Sequence, residues 1–156
     1  MKLSEALSED RILMELQSAN KEGALREMID FAAERGLISD PQLFLERVLE
    51  REFLLSTGVG HGVAVPHAQI ARAQGIACCL GISRSGVDYD SVDGEPVRII
   101  CLIIAEEEND APYLRLLSQI SRLFARSEVR EGILQAESPA EVLAVIRAAE
   151  GPRSAP

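Results

Sequence analysis

Ile76-Ala77-Cys78-Cys79-Leu80-Gly81-Ile82-Ser83 is apolar almost without a break. Such a run is expected of a central strand covered on both faces. Val97 to Ala105 is a second run of the same kind. Between them, Gly86-Val87-Asp88-Tyr89-Asp90 reads as an edge strand or turn, and Asp93-Gly94-Glu95-Pro96 as a turn. The links joining these segments are too short for helical crossovers, so a mixed sheet is expected rather than an all-parallel one.

Outward from this centre the periodicity becomes helical. Lys21 to Arg35 places Leu25, Met28, Ile29 and Ala32 at helical spacing, with Gly36 as the residue past the end. Asp40 is a capping residue, Pro41 opens a second helix, and its apolar face holds Phe44, Leu45, Val48 and Leu49. This helix should end near Arg51 or Glu52. A polar break, Glu106 to Asp110, precedes a helix from about Pro112 to Arg126. Leu114, Leu117, Ile120 and Phe124 form its expected core stripe, and Arg115, Gln119, Arg122 and Arg126 its polar face. Helices over Glu128–Ala136 and Pro139–Ala149 follow, the last capped by Ser138. Arg11 to Leu16 alternates and fits a strand or a helical turn, of which the strand is preferred; Val63 to Val65 reads as a short strand. Helices first, strands in the middle and helices last give an α/β fold, a mixed sheet with helices on both faces. The 156 residues fit one domain, 1–150, followed by a frayed tail, 151–156.

Composition removes several classes of function. The net charge is −9, and lysine occurs only at Lys2 and Lys21. Nucleic-acid phosphates demand clustered cations, so a nucleic-acid partner is not expected. No apolar run is long enough to span a bilayer, and the first residues lack the apolar stretch of a secretory signal. Direct membrane insertion is therefore not expected. Cys78, Cys79 and Cys101 lie in apolar runs without a C-x-x-C, which reads as small buried hydrophobes in a reducing compartment, the cytoplasm.

The chemistry concentrates in Ser56-Thr57-Gly58-Val59-Gly60-His61-Gly62-Val63-Ala64-Val65-Pro66-His67. Gly58, Gly60 and Gly62 permit tight turns and the close approach of a partner or an anion. Pro66 fixes its own φ and biases Val65 toward an extended backbone. His67 is thereby expected at a defined strand end beside loop amides, a setting that suits an imidazole that takes and gives a phosphoryl group. The bland alternative for His67 is a histidine with satisfied hydrogen bonds. His61, between two glycines, reads as an exposed loop residue. A His61/His67 metal pair lacks a third ligand at a recognisable spacing, so no metal is expected. Neither G-x-S-x-G nor a phosphate-binding Walker A loop occurs.

Thr57-Gly58-x-Gly60-x-Gly62-x-Ala64-x-Pro66-His67 closely resembles the active-site signature of enzyme IIA domains of the fructose/mannitol type. These belong to the bacterial phosphoenolpyruvate-dependent phosphotransferase system and include the nitrogen-regulatory IIA proteins. Arg51-Glu52 is similar to the family's arginine before the loop. Asp93-Gly94-x-Pro96-Val97 and Leu114-x-x-Leu117-Ser118 are similar to later segments, so the resemblance runs from about Arg11 to Arg147. It implies a phosphohistidine carrier without a cofactor. His67 would attack the phosphohistidine of the small histidine-containing phosphocarrier protein through Nε2. Arg51 would neutralise the transferring group, and Thr57, Gly58, Gly60 and Gly62 would cradle it. A sugar-specific IIB domain or a regulatory target protein would be the next partner.

The resemblance breaks at one position. Where many members carry a second histidine at the start of the late helix, Tyr113 stands here. Tyrosine donates a hydrogen bond to a phosphate oxygen but carries no positive charge. The retained Arg51, Thr57 and His67 imply phosphoryl transfer, in a regulatory or a sugar pathway. Tyr113 leaves the alternative of a non-catalytic, protein-binding module of the same fold.

Overall fold

The computed structural model describes residues 1–54, 56–71, 75–108 and 110–151. Asn109, in the expected polar break, and residues 152–156 of the expected tail lie outside the described residues. In chain order the helices are α1 (Leu3–Ala6), α2 (Lys21–Glu34), α3 (Pro41–Leu54), α4 (Asp110–Phe124), α5 (Ser127–Gln135) and α6 (Pro139–Glu150). The strands are β1 (Ile12–Leu13), β2 (Gly58–Gly60), β3 (Val63–Ala64), β4 (His67–Ile70), β5 (Ile76–Val87) and β6 (Val97–Glu106).

The sheet is mixed, as the short links require. Its order is β1-β5-β6-β3-β2, with β4 also paired to β6. β5 and β6 form the antiparallel centre, and β1 runs parallel to β5. β3 and β4 are both parallel to β6 and follow one another along its length: Val63 lies opposite Ile99, His67 opposite Ile103.

Strand alternation divides the core into two layers. Cys78, Leu80, Ile82, Cys101 and Ile103 face α1, α4, α5 and α6. Cys79, Ile100, Leu102 and Ile104 face α2 and α3. Each fully buried aliphatic side chain contributes on the order of 1.5–3 kcal/mol, which is why both central strands are apolar throughout. Helix ends follow their caps. The Asn20 side chain accepts the Gly23 N–H at 2.8 Å, Asp40 that of Leu43 at 3.1 Å and Ser138 that of Glu141 at 3.2 Å.

Five expectations differ from the structure. The Arg11–Leu16 segment is a strand only at Ile12–Leu13, because Glu9–Arg11 is a 3-10 turn. α3 continues one turn beyond Arg51, so Phe53 and Leu54 are helical and project into solvent, 91% and 82% exposed. β5 runs on through Val87 rather than ending at Ser83, with a register shift between Ile82 and Val87. α4 is rotated from the expected stripe: Tyr113, Leu116, Ile120, Leu123 and Phe124 are buried, whereas Leu114 is 60% exposed. Finally, the glycine segment is a hairpin rather than an open loop, since β2 pairs antiparallel with β3 across a bulge.

Candidate active site

The hairpin explains its own glycines. Gly60 and Gly62 have φ of 103° and 78°, the left-handed region that a side chain disfavours. Gly58 is needed for space: a Cβ there would lie 2.5 Å from Ser91 Oγ. The Gly58 N–H donates to Ser56 Oγ at 3.1 Å, and the Gly62 carbonyl accepts the Arg98 N–H at 2.8 Å. The three glycines thus build the edge of the sheet on which the next residues rest.

β3 stops at Ala64 because Pro66 has no N–H to give the ladder. The Pro66 carbonyl still accepts the Ile103 N–H at 3.0 Å, and pairing resumes with His67, the first residue of β4. The break frees the Val65 carbonyl from the ladder. It accepts a hydrogen bond from His67 Nδ1 at 2.7 Å. A carbonyl only accepts, so the ring proton sits on Nδ1 and the lone pair on Nε2. Arg51 Nη2 lies 2.9 Å from that Nε2, and a guanidinium only donates, which agrees with the same tautomer.

The imidazole pKa is held below its ordinary value of 6.5, chiefly by burial. The Val65 hydrogen bond opposes this, the Arg51 charge adds to it, and the Glu52 charge opposes it. His67 is therefore neutral at pH 7, with its Nε2 lone pair facing the Arg51 guanidinium.

Tyr113, in the first turn of α4, packs beside this ring, 5.6 Å between centroids with the planes at 60°. Burial pushes its phenol up to about 12, so the hydroxyl keeps its proton. A cleft of about 320 Å³ opens onto His67, lined also by Arg51, Leu54, Ser56, Thr57, Val65, Leu117 and Ser121. Arg51 and Tyr113 share an adjoining hollow of about 300 Å³.

Not every expected group reaches the same place. The Thr57 hydroxyl donates to a Glu52 carboxylate oxygen and lies 3.0 Å from the Tyr89 hydroxyl. The Thr57 N–H donates to the other Glu52 oxygen at 3.0 Å. His61 is exposed at the hairpin turn with φ of 59°, its N–H bonded to Asp93 Oδ2 at 3.1 Å. It lines a different hollow, of about 170 Å³, with Ile120 and Phe124. Among the described residues no group of three His, Cys, Asp or Glu side chains is arranged to hold a metal. Sequence reasoning passed over Glu52, Tyr89 and Lys21. A signal existed: Glu52 continues the i, i+4 series of buried Phe44 and Val48, which aims a carboxylate into the core.

The family model described as "Phosphoenolpyruvate-dependent sugar phosphotransferase system, EIIA 2" matches residues 5–149. The chain belongs to this EIIA family. It is 37% identical over 146 residues to the fructose-specific EIIABC component of Bacillus subtilis, covering 94% of this chain but only 23% of that protein. It is 33% identical to the fructose-specific EIIA component of Haloferax volcanii, covering 86% of this chain and 88% of that one. Among solved structures, nitrogen regulatory protein IIA-Ntr from Neisseria meningitidis superposes with a TM-score of 0.85 at 28% identity, covering 92% of this chain and 97% of that one. With the family comes its role, that of a phosphocarrier domain in a sugar-type or nitrogen-type phosphotransferase system. Among the described residues, no helix of this EIIA domain is long and apolar enough to cross a membrane.

Proposed function

We propose that His67 carries the phosphoryl group of this EIIA domain and receives it from a histidine-containing phosphocarrier protein in the cytoplasm. The observation that carries the reading is the pair of contacts on one ring: Nδ1 on the Val65 carbonyl and Nε2 facing Arg51. The Nε2 lone pair attacks phosphorus and forms the new N–P bond. The N–P bond to the donor histidine breaks, and its electron pair returns to the donor ring. The proton on His67 Nδ1 stays where the Val65 carbonyl holds it. Arg51 leaves the lone pair and takes the phosphoryl oxygens, where a planar cation is most effective. Tyr113 donates one hydrogen bond to the same oxygens. Gly58, Gly60 and Gly62 support the site by shaping its edge.

A protein surface must approach His67 for this exchange. Leu54, one turn after Arg51 on α3, lines the cleft and leaves an 82% exposed apolar side chain for that contact. A IIB domain or a regulatory target would receive the group across the same face. Incubation with phosphoenolpyruvate, enzyme I and the phosphocarrier protein should add one acid-labile phosphate. His67→Ala should abolish it, whereas His61→Ala should not. Phosphate persisting in His67→Ala would remove His67 from the role.

A further inference from the structure

The Glu52 side chain is only 3% exposed, yet it is a carboxylate. Four donors meet it. Lys21 Nζ lies 2.8 Å away, the Tyr89 hydroxyl donates at 2.9 Å, and Thr57 gives both its N–H and its hydroxyl. Lys21 also sits over the Tyr89 ring, 4.8 Å from its centroid, and donates to Ser56 Oγ at 3.3 Å. One of the chain's two lysines is thus spent on neutralising this one acid. None of these groups touches the imidazole, and the phosphotransfer step above uses none of them.

Their position gives them a different task. Glu52 lies in the last turn of α3, next to Arg51, and Thr57 enters the glycine hairpin. The Thr57 carbonyl accepts the Val65 N–H at 3.0 Å. The Val65 carbonyl in turn holds His67 Nδ1 at 2.7 Å. A continuous path therefore runs from Glu52 through Thr57 and Val65 to one ring nitrogen. The neighbouring residue, Arg51, faces the other ring nitrogen at 2.9 Å.

We infer that Glu52 is a positioning residue that holds both nitrogens of the His67 imidazole in register, one through Thr57 and Val65, the other through Arg51. This rests on the reading that His67 is the phosphoryl carrier. Reach alone does not aim Arg51. Its side chain is exposed and makes no ion pair with a carboxylate among the described residues, so its direction depends on how the last turn of α3 is pinned. A carboxylate suits that pin because both its oxygens accept, whereas an amide in its place would turn a donating NH2 toward one set of these donors.

Glu52→Gln tests this with two readouts that a purely stabilising role would not move. The first is nitrogen-15 NMR of the His67 ring in the unphosphorylated protein. The native chain should show a single tautomer, protonated on Nδ1, and Glu52→Gln should show both tautomers. The second is a double-mutant cycle with Arg51→Lys, using the phosphorylated histidine-containing phosphocarrier protein as donor. Alone, Glu52→Gln should lower kcat about tenfold at an unchanged KM for the donor. In the Arg51→Lys background it should lower kcat less than about threefold, because the group it aims has already lost its geometry. An unchanged tautomer, or effects that multiply in full, overturns the inference. If Glu52→Gln does not fold, Thr57→Val, which keeps the N–H but loses the hydroxyl, is read by the same two criteria. A native protein that accepts no phosphate would instead sink the phosphocarrier assignment of His67, and the tautomer would still decide what Glu52 does.

Discussion

The centre of the sheet and its edge bury titratable groups with opposite results. At the centre, burial pushes the Cys79 thiol up to about 12. The Cys78 thiol is also raised, first by its contact with Cys101 and then by burial. At the β4 edge, burial pushes the His67 imidazole down. In both places the low dielectric disfavours the charged form. The neutral form of a thiol is inert, whereas the neutral form of an imidazole is the nucleophile. Burial thus works against the reactive form of Cys78 and Cys79 and in favour of the reactive form of His67. What differs is that the edge supplies an opening, a carbonyl for Nδ1 and a cation for Nε2.

The largest effect expected of this contrast is at the centre. At pH 8 a rise from 9.0 to about 12 lowers the Cys79 thiolate population by on the order of a thousandfold. Cys79 in the native protein should therefore resist iodoacetamide by at least about that factor relative to protein in denaturant, as read by peptide mass spectrometry. Rapid alkylation of the native chain would break the comparison at its apolar end.

At the edge, Arg51→Lys should slow phosphorylation of His67 by about ten- to a hundredfold, the loss of one directed charge-assisted contact. Melting temperature should change little, because Arg51 is exposed. An unchanged rate in a quenched-flow assay would show that the cation is not part of the transfer.

The pH profile sharpens the same point. A lowered imidazole pKa means that His67 stays a free base to lower pH than an ordinary histidine. The transfer rate should be flat above pH 6.5 and fall on acidification with a midpoint below 6.5. Burial of the neutral ring likewise contributes stability above the unfolded pKa, lost as pH falls through the folded one. A midpoint above 6.5 would mean that a raising influence outweighs burial.

The smallest effect belongs to Tyr113. Tyr113→Phe removes one neutral hydrogen bond and should slow transfer about two- to fivefold. Tyr113→His should preserve or raise the rate. Identical rates for Tyr113 and Phe would leave the residue as packing against the ring.

The centre was also the more legible region from sequence. Two uninterrupted apolar runs admit few readings, and the short links between them exclude helical crossovers. His67 was readable because three glycines and a proline punctuate the chain just before it, whereas Arg51 came only with the family resemblance. The phase of α4 was not: leucines lie on several sides of that helix, and only the buried Tyr113 reveals which side faces the sheet. β2 and β4 were missed for a related reason. Their three and four residues are too few to show alternation. The role of Glu52 depends on Tyr89 and Lys21, which lie 37 and 31 positions away in the chain and meet it only after folding.

The most direct test of the account is the atom that carries the phosphate. Phosphorylated protein labelled with nitrogen-15 in histidine should show a single phosphorus–nitrogen coupling, at His67 Nε2. Nδ1 should remain bonded to the Val65 carbonyl. Phosphate on His67 Nδ1, or on any other residue, would contradict it.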